Sequence, residues 1–125
     1  NSTVFEADLL VTDWSGIAYE YAFTTKKPVL FVDTPMKVMN PEYQKIDTVP
    51  INIWMRDVIG DRLDPAKTEE TESKVRNLLE QKDAYHDRIE KFVEEYVYNL
   101  GNSAEVGAKY IVQAVQEQIK KAKEQ

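Results

Sequence analysis

A short stretch, Asp13-Trp14-Ser15-Gly16, with Glu20 four residues on, holds the side chains best suited to grip a polar ligand. Ser15-Gly16 stands where an apolar run gives way to a helical pattern. The first N–H groups of a helix have no partners inside it, and the helix dipole adds partial positive charge there. A glycine lets a phosphate reach the backbone, and a serine hydroxyl adds one hydrogen bond, so the pair can cradle a phosphate without a Walker motif. The same two residues also read as a plain helix cap. Glu20, one turn beyond Gly16, presents a carboxylate able to accept from the two hydroxyls of a ribose, or else simply faces solvent. Asp13 caps the helix or orients the turn. Trp14 and Trp54 offer rings that shelter a ligand base or pack into a core.

The elements that must position this turn are short. Leu9-Leu10-Val11 reads as a buried strand, Ile17 to Phe23 as a helix, and Pro28 to Asp33 as a second buried strand. Strand, turn, helix, strand within about thirty residues is a βαβ unit, which builds a parallel sheet. Ligands of such sheets bind at the carboxyl ends of the strands, so Asp13 to Gly16 and Asp33 to Pro35 share one rim.

Other chemistry on this rim fits poorly. Asp13 at a strand end suggests a phospho-accepting receiver domain, but the acidic pair and the later Thr/Ser and Lys of that fold have no counterparts. Asp33-Thr34 suggests a phosphatase nucleophile, but Pro35 stands where its second Asp belongs. The absence of cysteine excludes disulfides, thiolate metal sites and a cysteine nucleophile, and a single histidine, His86, excludes a His-rich metal site. His86 falls on an amphipathic helix and reads as a surface or packing residue. The net charge of −6 argues against a nucleic-acid-binding face. At 42% hydrophobic and 30% charged, the 125 residues describe one globular domain. No apolar run approaches the roughly twenty residues that span a bilayer.

Residues 1–63 are expected to form the βαβ part with an irregular segment, and 64–125 a helical part. In the irregular segment, Asn40-Pro41-Glu42-Tyr43 is a helix start. Ile51 to Met55 is a short third strand or a helix edge, and Arg56 to Gly60 is one or two helical turns closed by glycine. Long connections of this kind are more often functional than idle. Val75, Leu78 and Leu79, then Tyr85, Ile89, Phe92 and Tyr96, recur at helical spacing. Gly101 stops that run. A last helix from Ala104 to Lys123 carries Ala108, Ile111, Val115 and Ile119 on one side, and its basic end reads as solvated before it reads as a membrane contact.

Thr12-Asp13-Trp14-Ser15-Gly16-Ile17-Ala18-Tyr19-Glu20-Tyr21-Ala22, followed by Lys27-Pro28-Val29-Leu30-Phe31, resembles the carboxyl-terminal region of the CDP-glycerol glycerophosphotransferases, which build teichoic acid backbones. Those enzymes carry an Asp-Tyr-Ser-Ser turn, an acidic residue five positions after the first Ser, and a Lys-Pro strand. Their Gly-Asn-Ser-Ala before the last helix is matched by Gly101 to Ala104. The likeness covers nearly the whole chain and is least marked over 34–61. It implies a Rossmann-like partial parallel sheet followed by C-terminal helices, the donor-binding half of a two-Rossmann-domain GT-B-type transferase. Ser15 and Gly16 would then hold the donor diphosphate and Glu20 the ribose, with Asp13 and Trp14 supporting the site.

The chain departs from the pattern at Trp14, where the family has Tyr, and at Gly16, where it has the second Ser. The family's catalytic histidines lie upstream and have no match here. The expected reading is therefore a C-terminal fragment without a catalytic residue, inactive alone, and with no cofactor or metal. Its donor is CDP-glycerol or a related nucleotide, and its polyol-phosphate or glycan acceptor is held by an upstream domain. The parent enzyme is expected to be cytoplasmic and peripheral on the inner face of the membrane. A nucleotide-sugar glycosyltransferase domain and a non-catalytic interaction module are the alternatives.

Overall fold

A computed structural model describes residues 2–125. A short helix α1 (Thr3–Glu6) leads into strand β1 (Leu10–Thr12), helix α2 (Ile17–Thr25) and strand β2 (Val29–Val32). A 3₁₀ turn (Tyr43–Lys45) and two four-residue helices, α3 (Ile51–Trp54) and α4 (Arg56–Ile59), follow and deliver a third strand, β3 (Gly60–Leu63). Helices α5 (Thr71–Glu80), α6 (Lys82–Tyr96) and α7 (Ser103–Lys123) complete the order. The three strands lie β1-β2-β3 and all pairs are parallel, Leu10 opposite Val29 and Val29 opposite Gly60. This is an α/β fold with a three-stranded parallel open sheet and C-terminal helices, a partial Rossmann-like arrangement. The chain forms two compact units, one ending at Val93 and the other running from Glu94 to Gln125.

β2 is the central strand, and its Val29, Leu30 and Phe31 are wholly buried, as a continuous apolar run requires when both faces are covered. β1 was expected to be buried too. It is an edge strand, so one side has no partner and Val11 is 49% exposed. Buried Ala18, Tyr21 and Ala22 turn α2 onto the sheet. The helix ends at Lys26, in the left-handed region at φ 57°. The Tyr21 hydroxyl and the Lys27 ammonium both donate to the Ala7 carbonyl, each at 2.8 Å, fastening the two ends of the βα unit.

β3 has no apolar alternation to announce it, since it reads Gly-Asp-Arg-Leu. Ile51 to Trp54, read as a third strand or a helix edge, is helical instead, and the third strand lies further on. Gly60 makes the pairing possible, because a Cβ there would sit 1.8 Å from the Val29 carbonyl oxygen. The helical stripes of the C-terminal half are seen in part. Leu78, Tyr85, Ile89, Phe92 and Val93 are buried, whereas Leu79 and Tyr96 are each 38% exposed. Phe92 stacks on Phe23 at 5.8 Å and meets Trp54 edge-on at 5.7 Å, so Trp54 is a packing residue. Ile111, Val115 and Ile119 of α7 are exposed, and so is Ala108.

Gly60→Ala should therefore destabilise the first unit by at least ~1–3 kcal/mol, the usual cost of overpacking, or prevent its folding. Urea unfolding followed by circular dichroism measures this, and an unchanged midpoint would contradict the steric account.

Candidate functional site

The turn between β1 and α2 projects from the carboxyl end of the sheet. Asp13, Ser15, Gly16 and Glu20 are exposed and Trp14 is half-buried. Gly16 precedes α2, and no side chain caps that end, so the expected Asp13 cap is not made. At the start of α2 the Ala18 and Tyr19 amides donate to the Ser15 and Gly16 carbonyls at 3.2 and 3.1 Å, so the Gly16 and Ile17 amides are the ones left for water or for a ligand's acceptor oxygens. Glu20 lies in the first turn of the same helix. The two rim segments expected to lie together do so: the Trp14 indole N–H donates to the Thr34 carbonyl at 2.7 Å.

What fixes Trp14 is a residue that sequence reading did not single out. The Arg56 guanidinium lies 3.7 Å from the centre of the Trp14 ring and 4.8 Å from that of Phe31. Arg56 is only 1% exposed, the one buried charge among the described residues. Its Nη2 stands 2.8 Å from Asp33 Oδ1, yet the two atoms are not aligned for a hydrogen bond and Nε has no acceptor. The pair is held by charge at short range, and stacking on two rings adds roughly 0.5–2 kcal/mol. Asp33 also lies 3.9 Å from Arg62, which in turn pairs with Asp57 at 3.0 Å. The one available signal was a single Arg, beside Asp57, in the largely apolar segment from Ile51 to Ile59.

Tyr19, in the first turn of α2, donates its hydroxyl to the Asn52 carbonyl at 2.9 Å and so ties this helix to α3. Burial raises the Tyr19 pKa above the usual 10.0, with the Arg56 charge opposing. Beside the turn opens a cavity of about 580 Å³ bordered by Trp14, Met36, Met39, Tyr43, Gln44 and Asn52 among others. This falls in the size range of small-molecule sites. The Asn40 helix start survives as one 3₁₀ turn, with Asn40 Oδ1 accepting from the Glu42 amide at 2.9 Å.

His86 lies on α6, half exposed, 3.5 Å from Asp87 and 3.9 Å from Glu90. All three are solvent-facing, and no buried polar group joins them. His86 does not border the cavity. No described helix is long and apolar enough to cross a membrane.

The rim thus combines a parallel βα turn, a carboxylate one turn into the helix and a cavity alongside. The family model described as CDP-Glycerol:Poly(glycerophosphate) glycerophosphotransferase matches residues 1–115, and the chain belongs to that family. It matches no curated protein and no solved structure.

Two outcomes follow. Asp33→Ala strands a buried guanidinium and should approach the ~3–5 kcal/mol of a broken buried pair, less what water recovers where the carboxylate is one-third exposed. Arg56→Met removes the buried charge itself and should cost less; denaturant midpoints of the two variants give the order, and the reverse order would refute the account. Tyr19 raised above 10.0 favours the fold through its neutral hydroxyl. That contribution is complete below pH 10 and fades as pH rises through the folded-state pKa. A Tyr19→Phe difference spectrum of phenolate absorbance should place its ionisation later than that of a free tyrosine.

Proposed function

We propose that this chain is the donor-nucleotide-binding part of an enzyme that moves glycerol phosphate from CDP-glycerol to a teichoic-acid-like polymer of the cell envelope. The observation that carries the reading is the uncapped start of α2 at Ser15-Gly16, on the carboxyl rim of a parallel sheet, in a chain of this family. Ser15 and the Gly16 backbone hold the diphosphate and Glu20 the ribose, with Asp13 and Trp14 shaping the turn. Backbone amides and a helix dipole suit an acidic protein, because they attract anions without a basic surface.

In the reaction, the acceptor hydroxyl oxygen bonds to the phosphorus that carries glycerol. The anhydride bond to CMP breaks, its electron pair leaves on CMP, and the hydroxyl proton passes to a base. His86 is no candidate for that base, given its place on α6 with Asp87 and Glu90. The base and the acceptor-holding groups are proposed to lie upstream, in an enzyme working at the cytoplasmic face of the membrane.

The test is a titration of the ¹⁵N-labelled chain with CDP-glycerol, CDP, CMP and a UDP-sugar, together with a turnover assay. Amide shifts centred on residues 13–20, larger for CDP-glycerol than for the UDP-sugar and weakened by Glu20→Gln, are expected without any CMP release. Preference for the UDP-sugar would instead favour a glycosyltransferase donor, and turnover by this chain would overturn the assignment of the base elsewhere.

A further inference from the structure

Helix α7 is the longest element of the chain, and none of its residues is buried. Most helical stability comes from packing an amphipathic face, so a bare helix is marginal in water. The face is there to be packed. Ala104, Ala108, Ile111, Val115, Ile119 and Ala122 recur at spacings of four, three, four, four and three residues. That is an eleven-residue repeat, at about 3.67 residues per turn, so the stripe runs almost straight along the helix. Ile111, Val115 and Ile119 are each at least half exposed. Single exposed apolar residues need no cover, but a stripe along a whole helix marks an interaction surface.

The charges beside the stripe say what covers it. Eighteen residues, five turns of an α-helix, separate Glu105 from Lys123, so the two share one flank, one near each end. Two such helices laid parallel would set Glu105 against Glu105 and Lys123 against Lys123. Laid antiparallel, each Glu105 meets the partner's Lys123, and a two-fold axis makes that contact twice. The same register sets Ile111 beside the partner's Val115 and the small Ala108 beside the partner's Ile119. On the other flank Glu117 falls beside the partner's Tyr110, so no like charges meet. Glu105 already pairs with Lys109 of its own helix at 2.6 Å, through Oε1, which leaves Oε2 to accept from Lys123.

We propose that α7 is a self-association surface, pairing antiparallel with α7 of a second copy of this chain. The inference is independent of the donor reading. Three of the six stripe residues are alanines, so the area buried is small and the pair forms in a concentration-dependent equilibrium. Because packing stabilises the helix, helix content rises as pairs form.

The test is sedimentation equilibrium of the chain from micromolar to millimolar concentration, with circular dichroism on the same samples. A monomer–dimer equilibrium is expected, with helix content following the dimer. Ile111→Gln should abolish both changes, and glutamine is at least as good a helix former as isoleucine, so propensity does not explain the loss. Glu105→Lys and Lys123→Glu should each weaken the dimer roughly two- to thirty-fold, the scale of two exposed ion pairs. Mixing these two variants should restore it, which a mere loss of the Glu105–Lys109 bond would not allow. Single reversals without effect, and a mixture tighter than the unchanged chain, would mean parallel helices and overturn the antiparallel pair. A chain that stays monomeric throughout, or a dimer indifferent to Ile111→Gln, overturns the proposal. So does a monomer that binds phosphatidylglycerol vesicles, which would give the stripe to a lipid surface instead.

Discussion

The rim of this sheet is organised by one buried cation. Arg56 enters from α4, lies between Trp14 and Phe31, and meets Asp33 at the end of β2. It thereby joins the β1–α2 turn, the central strand and the connection that leads to β3. Without it, Trp14 would keep only its hydrogen bond to Thr34, and a turn with no side-chain cap would have little to define its shape. A buried guanidinium is a costly way to fix a turn, since desolvation offsets much of the charge attraction. Its planar face recovers some of that cost by stacking, which an ammonium cannot do in the same way.

The strands and helices differ in how plainly the chain announces them. Val29 to Val32 is an unbroken apolar run because it is central and covered on both faces. The helix after the turn is legible from Ala18, Tyr21 and Ala22 at helical spacing. β3 was not legible, and the reason is physical. Its place in the sheet depends on Gly60 allowing close approach to Val29, and a requirement for missing atoms leaves no apolar signature. Ile51 to Met55 has the composition of a strand but packs as a helix, with Met55 buried and Trp54 against Phe92. In both places tertiary contact decides what local preference leaves open.

The β1–α2 turn was legible where it depends on backbone and local order. A serine and a glycine after a strand, with a carboxylate a turn later, mark a helix start, and that start lies on the rim. Arg56 was invisible because its partners, Trp14, Phe31 and Asp33, lie between 23 and 42 residues away in sequence. The cavity was foreshadowed only as a long, proline-punctuated connection.

Arg56 also bears on the charge that the turn presents. Its Nε and Nη2 are sealed from solvent, so they make no contact with a ligand on the rim while Trp14 stays in place. Its charge is balanced locally by Asp33, and Arg62 is balanced by Asp57. The positive potential at the turn therefore comes chiefly from the dipole at the start of α2 and the Gly16 and Ile17 amides. Those donors are directional, because the helix fixes them. Arg56 thus acts as a support for the Trp14 ring, and the positive end that the turn presents to solvent is the backbone of α2.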